Sequence, residues 1–564
     1  MKRNLILTLA VGTAVVLSTT SCSKKLGQFQ QDYFSTNPNP LEVVGQNVPA
    51  TVTARIPAKF FVKNASVIVT PTLKYDGQET TSQSYAFQGE KVNGNAPVVN
   101  YEYGGTFNIP VKFAYTPAMD QSVLYLNFAV TQGNKQYVLP PVEVATGVIS
   151  TAALADASTV TPAIGADRFT KEVVDTTKAD IMFLINVANI RADQLKTDAM
   201  KELQRQLVDA NADAKRQIEE INIRSYASPD GPYDFNQQLA KHREDNTVGY
   251  IKGQLKKDNI TEFGELTANF TAEDWEGFKE LVSKSNIEDK QLILSILEMY
   301  KDPEVRDQKI KELGHVFTEL AETILPQLRY SRISAMVKVI GKTPEEMAAL
   351  YQTNPSELTV EEILYFATLT DDNNQRQEIY ATATELYPND YRTWNDLGMT
   401  QYINGNYSDA KTSFAKAAGM ANGNPEPQMN LGLIEMVNGN YSNADRYFGA
   451  AGGSDNIGEA LGVYYLVQGD NAAAVRSFAD IKSNNAALAQ ILTKDYAKAK
   501  STLAGINKPD ATTYYLMAIL GARTNNESMI NTNLKQAIKL DNKLAAKAVK
   551  DLEFKNFDLS RALN

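Results

Sequence analysis

The side chains best suited to nucleophilic or metal chemistry are scarce in this chain of 564 residues. It contains one cysteine, Cys22, and two histidines, His242 and His315. One cysteine cannot form an internal disulfide, and neither histidine lies beside a serine or cysteine in a nucleophile motif. The sequence also lacks a Walker loop, a zinc motif and a calcium-binding loop. We therefore predict no catalytic residue, no bound metal, no cofactor and no enzymatic activity.

Composition favours several folded domains and argues against one class of partner. Hydrophobic residues make up 43% of the chain and charged residues 22%, values typical of globular proteins. A chain of this length normally divides into several domains with separate cores. The formal net charge is −10 and no clustered basic stretch occurs, so we predict that the protein does not bind nucleic acid.

The N-terminal residues have the composition of a secretory signal peptide. Lys2 and Arg3 supply positive charge, and residues 5–17 form an apolar stretch too short to span a bilayer. Residues 17–22 resemble a bacterial lipobox in which Ser21 precedes the cleavage point. This resemblance implies that residues 1–21 are a lipoprotein signal peptide and that Cys22 is the lipidation site. The alternative is an ordinary cleaved signal with an incidental cysteine.

The residues after Cys22 indicate which way the protein faces. They are Ser23, Lys24 and Lys25. Surface-exposed lipoproteins of the Bacteroides group carry an acidic cluster at this position, and that cluster is missing here. The chain resembles lipoproteins of this group, which implies a lipid anchor in the outer membrane with the protein facing the periplasm. The leaflet that holds the lipid stays open.

A polar cluster is predicted near residue 230, where a strand, a turn and a helix follow one another. Residues 220–227 have strand character, residues 228–232 form a turn, and the helix carries Asn236 and Arg243. A carboxylate can hold an ammonium group, and a forked guanidinium can hold a carboxylate. Asp230 and Arg243 supply these two side-chain types, and what they bind is implied by the resemblance of this stretch to a known family.

This stretch resembles the OmpA-like peptidoglycan-binding domain. In that family a Gly-rich turn precedes Asn-x-x-Leu-(Ser/Ala)-x-x-Arg on the helix, and here Gly231 precedes Asn236-Gln237-Gln238-Leu239-Ala240-Lys241-His242-Arg243. The family uses an Asp in the turn and the helix Arg to grip a diaminopimelate side chain of the cell wall. The resemblance implies a peptidoglycan-binding site made of Ser228, Asp230, Asn236 and Arg243.

Ser228 departs from the family pattern, and two interpretations follow. Ser228 stands where the family has its Asp, while Asp230 lies two residues later. Either Asp230 turns into that place and binding is kept, or the site is lost and the domain is a structural or docking module. Arg243 has its own alternative, which is a solvated helix charge paired with Glu244 or Asp245.

The elements that must position these side chains form an α/β domain over residues 176–342. A strand over 179–187 and a helix over 195–207 come before the strand and helix described above, which gives the βαβα order of an α/β sandwich. Helical spacing over 271–327 and an alternating stretch over 331–340 predict a helical insertion before the last strand.

The residues before this domain have a different pattern. Over residues 22–148, short β-branched and aromatic stretches alternate with Asn, Gly and Pro turns, which predicts an all-β sandwich. Residues 149–175 are rich in Ala, Thr, Ser and Val and have no clear periodicity. We predict that they form a linker.

The C-terminal residues 343–564 contain an internal repeat. Leu397-Gly398 recurs 34 residues later as Leu431-Gly432 and 30 residues after that as Leu461-Gly462. This spacing is that of tetratricopeptide repeats, and five or six helix pairs are expected to stack in an all-α solenoid. The concave face of such a solenoid is predicted to bind a peptide or protein partner through first-helix residues such as Asn395, Thr400, Gln401, Asn430 and Tyr465.

The predicted fold is therefore multidomain, with an all-β sandwich, an OmpA-like α/β domain and an all-α repeat solenoid. The leading functional hypothesis is a lipoprotein scaffold that bridges the outer membrane to peptidoglycan and recruits a protein partner through its repeats. A second hypothesis is an accessory interaction subunit of an outer-membrane assembly or secretion machine that does not bind peptidoglycan. A third is a glycan-active enzyme.

Overall fold

The computed structural model describes residues 25–563, which form two compact units. The first unit contains the described residues up to Ala166 together with those from Asp371 on, and the second unit is Asp167–Thr370. The predicted signal peptide over 1–21 and the predicted lipidation site Cys22 lie outside the described residues. Within residues 25–563, no helix has both the length and the apolar character needed to cross a membrane.

The first part of the first unit consists of β-strands, which confirms the predicted N-terminal β region. One antiparallel sheet has the order β1-β3-β8, and a larger sheet has the order β10-β9-β4-β6-β7 with β5 paired to β4. A short parallel pair joins β2 to β11. The strands are β1 (Phe34–Asn37), β2 (Leu41–Glu42), β3 (Asn47–Ile56), β4 (Ala65–Tyr75), β5 (Gln78–Thr81), β6 (Tyr85–Gly89), β7 (Val98–Val99), β8 (Gly105–Ala114), β9 (Ser122–Gln132), β10 (Lys135–Thr146) and β11 (Val148–Ile149).

The long strands of both sheets bury every second side chain, and these buried side chains form one hydrophobic core. Val52 of β3, Val67 of β4 and Leu126 of β9 are all fully buried in this core. The Phe29 and Phe128 rings stack inside it with centroids 4.4 Å apart. The larger sheet is antiparallel apart from the parallel pair of β6 and β7, and two such sheets that share one core form a sandwich.

The second unit contains one four-stranded sheet with the order β12-β15-β13-β14. β15 is antiparallel to both β12 and β13, whereas β13 and β14 are parallel. The elements are β12 (Glu172–Met182), α1 (Asp198–Ala212), β13 (Arg216–Tyr226), α2 (Tyr233–Lys257), β14 (Glu265–Thr271), α3 (Trp275–Lys284), α4 (Lys290–Met299), α5 (Pro303–Lys311), α6 (His315–Thr323), β15 (Tyr330–Ile340), α7 (Pro344–Thr353) and α8 (Val360–Thr368).

Helices α3 to α6 occupy the stretch predicted as a helical insertion, and they have a core of their own. Phe278, Val282, Ile293 and Leu320 are buried in that core. The Asp274 carboxylate caps α3 by accepting a hydrogen bond from the Gly277 N–H at 2.9 Å. The insertion therefore has a packing arrangement separate from the main sheet.

The second unit extends beyond the predicted boundary at residue 342. Helix α8 is fixed to it because Glu362 forms an ion pair with Lys342 at 2.9 Å and the Tyr365 ring stacks on Phe169 at 4.5 Å. The Arg168 N–H also donates to the Glu361 carboxylate at 2.6 Å. The helical repeats consequently begin after Thr370, later than the predicted start at residue 343.

The remainder of the first unit is helical, which confirms the predicted C-terminal helical repeats. Consecutive helices pack as pairs, from α10 with α11 through α18 with α19. The helices are α9 (Asn373–Leu386), α10 (Tyr391–Ile403), α11 (Tyr407–Met420), α12 (Glu426–Val437), α13 (Tyr441–Gly449), α14 (Ile457–Gln468), α15 (Asn471–Phe478), α16 (Asn484–Leu492), α17 (Tyr496–Ala504), α18 (Ala511–Arg523), α19 (Glu527–Leu540), α20 (Lys543–Lys550) and α21 (Ser560–Leu563).

A glycine on the first helix of a pair lets the aromatic ring of the second helix approach closely. A methyl group at Gly432 would lie 2.4 Å from the Phe448 ring, and one at Gly462 would lie 2.6 Å from the Phe478 ring. Both phenylalanines are buried. The repeating Gly and Phe therefore fix the spacing within each helix pair.

The β-sandwich and the repeats belong to one unit, whereas the sequence suggested two separate domains. Leu492 of α16 packs against the sandwich core, and the Thr151 hydroxyl donates to the buried Glu553 carboxylate at 2.5 Å. Gln121 also donates to the Lys550 carbonyl at 3.0 Å. These contacts join the sandwich to the C-terminal end of the repeats.

Candidate functional site

The first helices of the repeat pairs line a groove that holds a segment of the same chain, which forms a 3-10 turn over Ala157–Thr159 and becomes extended at Val160. This segment, residues 156–166, is called the groove segment below. Three buried amide side chains of the repeats bind it, each at most 2% exposed: Asn395 on α10, Asn430 on α12 and Asn485 on α16. The exposed Asn456 adds a fourth amide, which donates to the Thr161 carbonyl at 3.3 Å. An amide can donate and accept at once, so it can satisfy both polar groups of a peptide backbone.

Ala163 lies at the centre of this arrangement. Its N–H donates to the Asn430 Oδ1 at 2.7 Å, and its carbonyl accepts from the Asn430 Nδ2 at 2.8 Å. The same carbonyl accepts a second hydrogen bond from the Asn395 Nδ2 at 2.9 Å. Asn430 also donates to the Asn395 Oδ1 at 2.9 Å, which links the two side chains. The backbone of Ala163 is thus fully satisfied by two neighbouring repeats.

The start of the groove segment is held in the same way. The Asp156 N–H donates to the Asn485 Oδ1 at 3.0 Å, and the Asp156 carbonyl accepts from the Asn485 Nδ2 at 2.9 Å. The Tyr402 hydroxyl donates to the Ala157 carbonyl at 2.8 Å. Burial raises the pKa of Tyr402, so this hydroxyl keeps its proton and remains a donor.

A carboxyl group takes the place of an amide at the other end of the segment. The Gly165 N–H donates to the Asp396 Oδ1 at 2.7 Å, while the buried Asp396 Oδ2 has no hydrogen-bond partner. Burial raises the pKa of Asp396 to about 8. Burial therefore favours the neutral form of the Asp396 carboxyl more than it would be favoured in an exposed carboxyl.

The three residues Asp396, Asn430 and Asn485 occupy one repeat position. Each lies nine residues before a residue with positive φ that ends its helix, namely Gly405, Gly439 and Lys494. This shared register was the signal from which the sequence could have identified Asn485 and Asp396, both of which the sequence analysis missed.

The residues predicted to line the concave face have different roles. Asn395 and Asn430 bind the groove segment, as described above. Thr400 is buried and donates to the Leu397 carbonyl of its own helix, and Gln401 accepts from Ser413 of the paired helix. Tyr465 packs edge-on against Tyr464. The predicted linker over 149–175 is also corrected, because the groove segment within it is bound to the repeats.

The four residues predicted to bind peptidoglycan lie together in the second unit, but Arg243 is turned inward. Its side chain is 0% exposed, and its guanidinium donates to the carbonyls of Tyr226 at 2.8 Å, Val187 at 3.1 Å and Leu184 at 3.1 Å. It also lies over the Phe183 ring at 5.0 Å. Burial and the nearby Arg329 lower the pKa of Arg243 to about 10.

The turn carboxylate is engaged by a neighbour that the sequence analysis did not consider. Asp230 forms an ion pair with Arg329 at 3.3 Å and accepts a hydrogen bond from the Ser228 hydroxyl. Arg329 also donates to Ser228 at 3.1 Å. Asn236 donates to the carbonyls of Ser228 and Gly231, which closes the turn. The cluster is therefore an internal hydrogen-bonded network.

Arg243 does not pair with Glu244 or Asp245, which was the alternative predicted from the sequence. Both carboxylates form ion pairs with Lys241, at 3.2 and 2.6 Å. His242 is exposed on the same helix, and His315 is exposed at the start of α6. Within residues 25–563, no group of three or more His, Cys, Asp or Glu side chains is placed to hold a metal ion.

Comparison with known proteins finds likeness among solved structures alone. A tetratricopeptide repeat protein from Parabacteroides merdae is 13% identical with a TM-score of 0.30, and the match covers 46% of this chain and 98% of that chain. pilF of Pseudomonas aeruginosa is 16% identical with a TM-score of 0.28, and the match covers 38% of this chain and 99% of that chain. The C-terminal part of a TPR repeat-containing protein from Cytophaga hutchinsonii is 16% identical with a TM-score of 0.19, and the match covers 50% of this chain and 99% of that chain. At these TM-scores the likeness carries no argument about function.

No family model matches the chain. No curated protein matches it either.

Proposed function

We propose that this protein is a non-enzymatic scaffold of a bacterial envelope that recruits a protein partner through its repeats. The observation that carries the proposal is that the repeats already hold an extended chain through Asn395, Asn430 and Asn485. Side-chain amides that bind backbone N–H and C=O groups accept a peptide regardless of most of its side chains. The function is that of an accessory interaction subunit of an outer-membrane assembly or secretion machine.

The proposed attachment to the membrane is a lipid on Cys22, with the two units in the periplasm. The support for it is the sequence before and after Cys22. In cells, Cys22→Ser should move the protein from the membrane fraction to the soluble fraction. A serine variant that stays with the membrane would contradict the proposed anchor.

Partner recruitment is tested by photo-crosslinking in cells. A photoreactive amino acid placed at exposed positions between residues 390 and 540 should trap one dominant protein, and the same residue on exposed loops of the second unit should not. One dominant product from these positions alone would support the proposal, while crosslinks to many unrelated proteins would contradict it. Unchanged cell-wall fragments after incubation with the protein would support the proposed lack of enzymatic activity.

A second candidate function is the bridging of the outer membrane to peptidoglycan. The observation that favours it is that Ser228, Asp230 and Asn236 are joined by hydrogen bonds and that Arg243 donates to the carbonyl of nearby Tyr226. The observation that weighs against it is that Arg243 donates to three backbone carbonyls and Asp230 pairs with Arg329. Under our proposal the second unit is a structural or docking module.

Isolated sacculi separate the two candidates. We expect the wild-type chain to remain in the supernatant when sacculi are sedimented. The peptidoglycan function would instead be established if the wild-type chain sedimented with sacculi in a saturable way and Asp230→Asn did not. The matched control Asp234→Asn, on the exposed face of α2, would have to sediment like the wild type. Because neither change removes the buried Arg243, both variants should keep the wild-type fold.

A further inference from the structure

The groove recognises its occupant through the backbone. The repeats bind both the N–H and the carbonyl of Asp156 and of Ala163, and the N–H of Gly165. They also donate to the carbonyls of Ala157, Thr161 and Ala166. The side chain of Thr159 contributes one further hydrogen bond, to Asn485 at 3.0 Å. Because these contacts are to backbone groups, they would be available to any chain segment that follows the same backbone path in the same direction.

The side chains of the occupant are restricted by size at two positions. Ala163 is 0% exposed, so its methyl group has no space to grow. At Gly165 an added methyl carbon would lie 2.9 Å from the Arg392 Cβ and 3.0 Å from its Cα, and a backbone atom cannot swing aside. The groove therefore fits a small residue followed two positions later by glycine.

We infer that the groove is a binding site for an extended protein segment with an Ala-x-Gly pattern, and that the groove segment is a resident ligand that such a partner segment displaces. The inference rests on the proposed function in one respect, namely that the repeats recruit a protein. Beyond the proposed function, the inference specifies which kind of segment the partner must carry. It also explains why the chain's own segment fills the groove when no partner is bound.

The covalent connection of the groove segment sets how strongly a partner must compete. The segment is continuous with β11 on one side and with β12 on the other, so its effective concentration at the groove is in the millimolar range or higher. A free peptide of the same sequence must overcome this local concentration. The intact chain should therefore bind such a peptide at least 100-fold more weakly than a chain whose own segment has been excluded.

The test uses the full chain and a fluorescent synthetic peptide of residues 152–166, with affinity measured by fluorescence anisotropy. The double variant Ala163→Tyr/Gly165→Val excludes the chain's own segment by size, and Gly165→Val alone does so with a smaller change. We expect both variants to bind the peptide at least 100-fold more tightly than the wild-type chain does. A peptide that itself carries Ala163→Tyr should not bind.

Adding Asn430→Ala to the double variant Ala163→Tyr/Gly165→Val tests whether the peptide binds in the groove. This double variant and Gly165→Val are called the opened chains. Asn430→Ala should weaken peptide binding at least tenfold, whereas the matched control Asn438→Ala, in an exposed turn after α12, should leave it unchanged. Equal binding to wild-type and opened chains would overturn the inference, as would no binding to a variant with wild-type helical circular dichroism. If both opened variants unfold, the segment is an integral part of the fold and the inference is wrong. Failure of the crosslinking experiment alone would refute partner recruitment and leave this peptide binding intact.

Discussion

Replacing Asp396 by asparagine should make the free energy of unfolding of the first unit less dependent on pH between pH 5 and pH 8. Burial raises the pKa of Asp396 to about 8 in the folded protein, against an ordinary value of 3.8. Between these two values the folded state keeps a proton that the unfolded chain has released. The free energy of unfolding therefore falls by up to about 1.4 kcal/mol for each pH unit, or about 4 kcal/mol between pH 5 and pH 8.

The variant Asp396→Asn removes this titration and keeps the acceptor for the Gly165 N–H. It also places at this repeat position the same residue that Asn430 and Asn485 supply. We expect the wild type to lose about 4 kcal/mol more stability than Asp396→Asn between pH 5 and pH 8. The difference between the two proteins cancels the contribution of every other titrating group.

The assay is urea unfolding at several pH values, followed by helical circular dichroism. Asp409→Asn, which changes an exposed carboxylate in the first turn of α11, is the matched control and should show the wild-type slope. If the stabilities of wild type and Asp396→Asn change in parallel from pH 5 to pH 8, the buried carboxyl does not titrate as argued.

Three further substitutions have defined outcomes. Asn430→Ala removes three hydrogen bonds and leaves the buried Ala163 N–H without an acceptor, so urea unfolding should show a loss of about 3 kcal/mol. Gly432→Ala is favourable for a helix by about 1 kcal/mol but forces a methyl group against Phe448, so the same assay should show a net loss of about 1 kcal/mol or more. Arg243→Ala removes three hydrogen bonds to backbone carbonyls, although the Leu184 carbonyl still accepts from the Val187 N–H. Amide exchange in β13 should report a loss of about 3 kcal/mol, whereas a purely ligand-binding arginine would leave that exchange unchanged.

The repeats could be predicted because their packing depends on side-chain size. Gly398, Gly432 and Gly462 recur at nearly constant spacing, and each meets a phenylalanine that recurs with them. Large and small residues at fixed offsets are visible in a single sequence. The β-sandwich was predictable for a similar reason, since β3 buries every second residue.

The groove segment could not be predicted because its contacts are made by its backbone. Its sequence is rich in Ala, Ser and Thr, which is the composition of a flexible linker. Its partners lie far away along the chain: for Ala163, Asn395 is 232 residues away and Asn430 is 267 residues away. Periodicity reports which side chains are buried, and it carries no information on which backbone groups a distant amide will bind.

The second unit was predicted in part. β13, α2 and β15 lie close to their expected positions, but β14 was missed because this edge strand is mostly exposed and lacks an apolar alternation. β12 begins at Glu172, earlier than expected, because its first half is exposed while it pairs with β15 along its full length. Spacing placed Arg243 near the turn, but it could not reveal that carbonyls of the same chain accept its hydrogen bonds.

The most direct test of the account is amide hydrogen exchange, measured by mass spectrometry on peptides that cover residues 156–166 in the wild-type chain and in Asn430→Ala. A segment bound in the groove should be protected in the wild type to a degree similar to the buried first helices, and Asn430→Ala should raise its exchange rate while β3 of the sandwich is unaffected. Exchange in the wild type as fast as that of an exposed loop, or equal exchange in the two proteins, would contradict the conclusion that the repeats hold this segment.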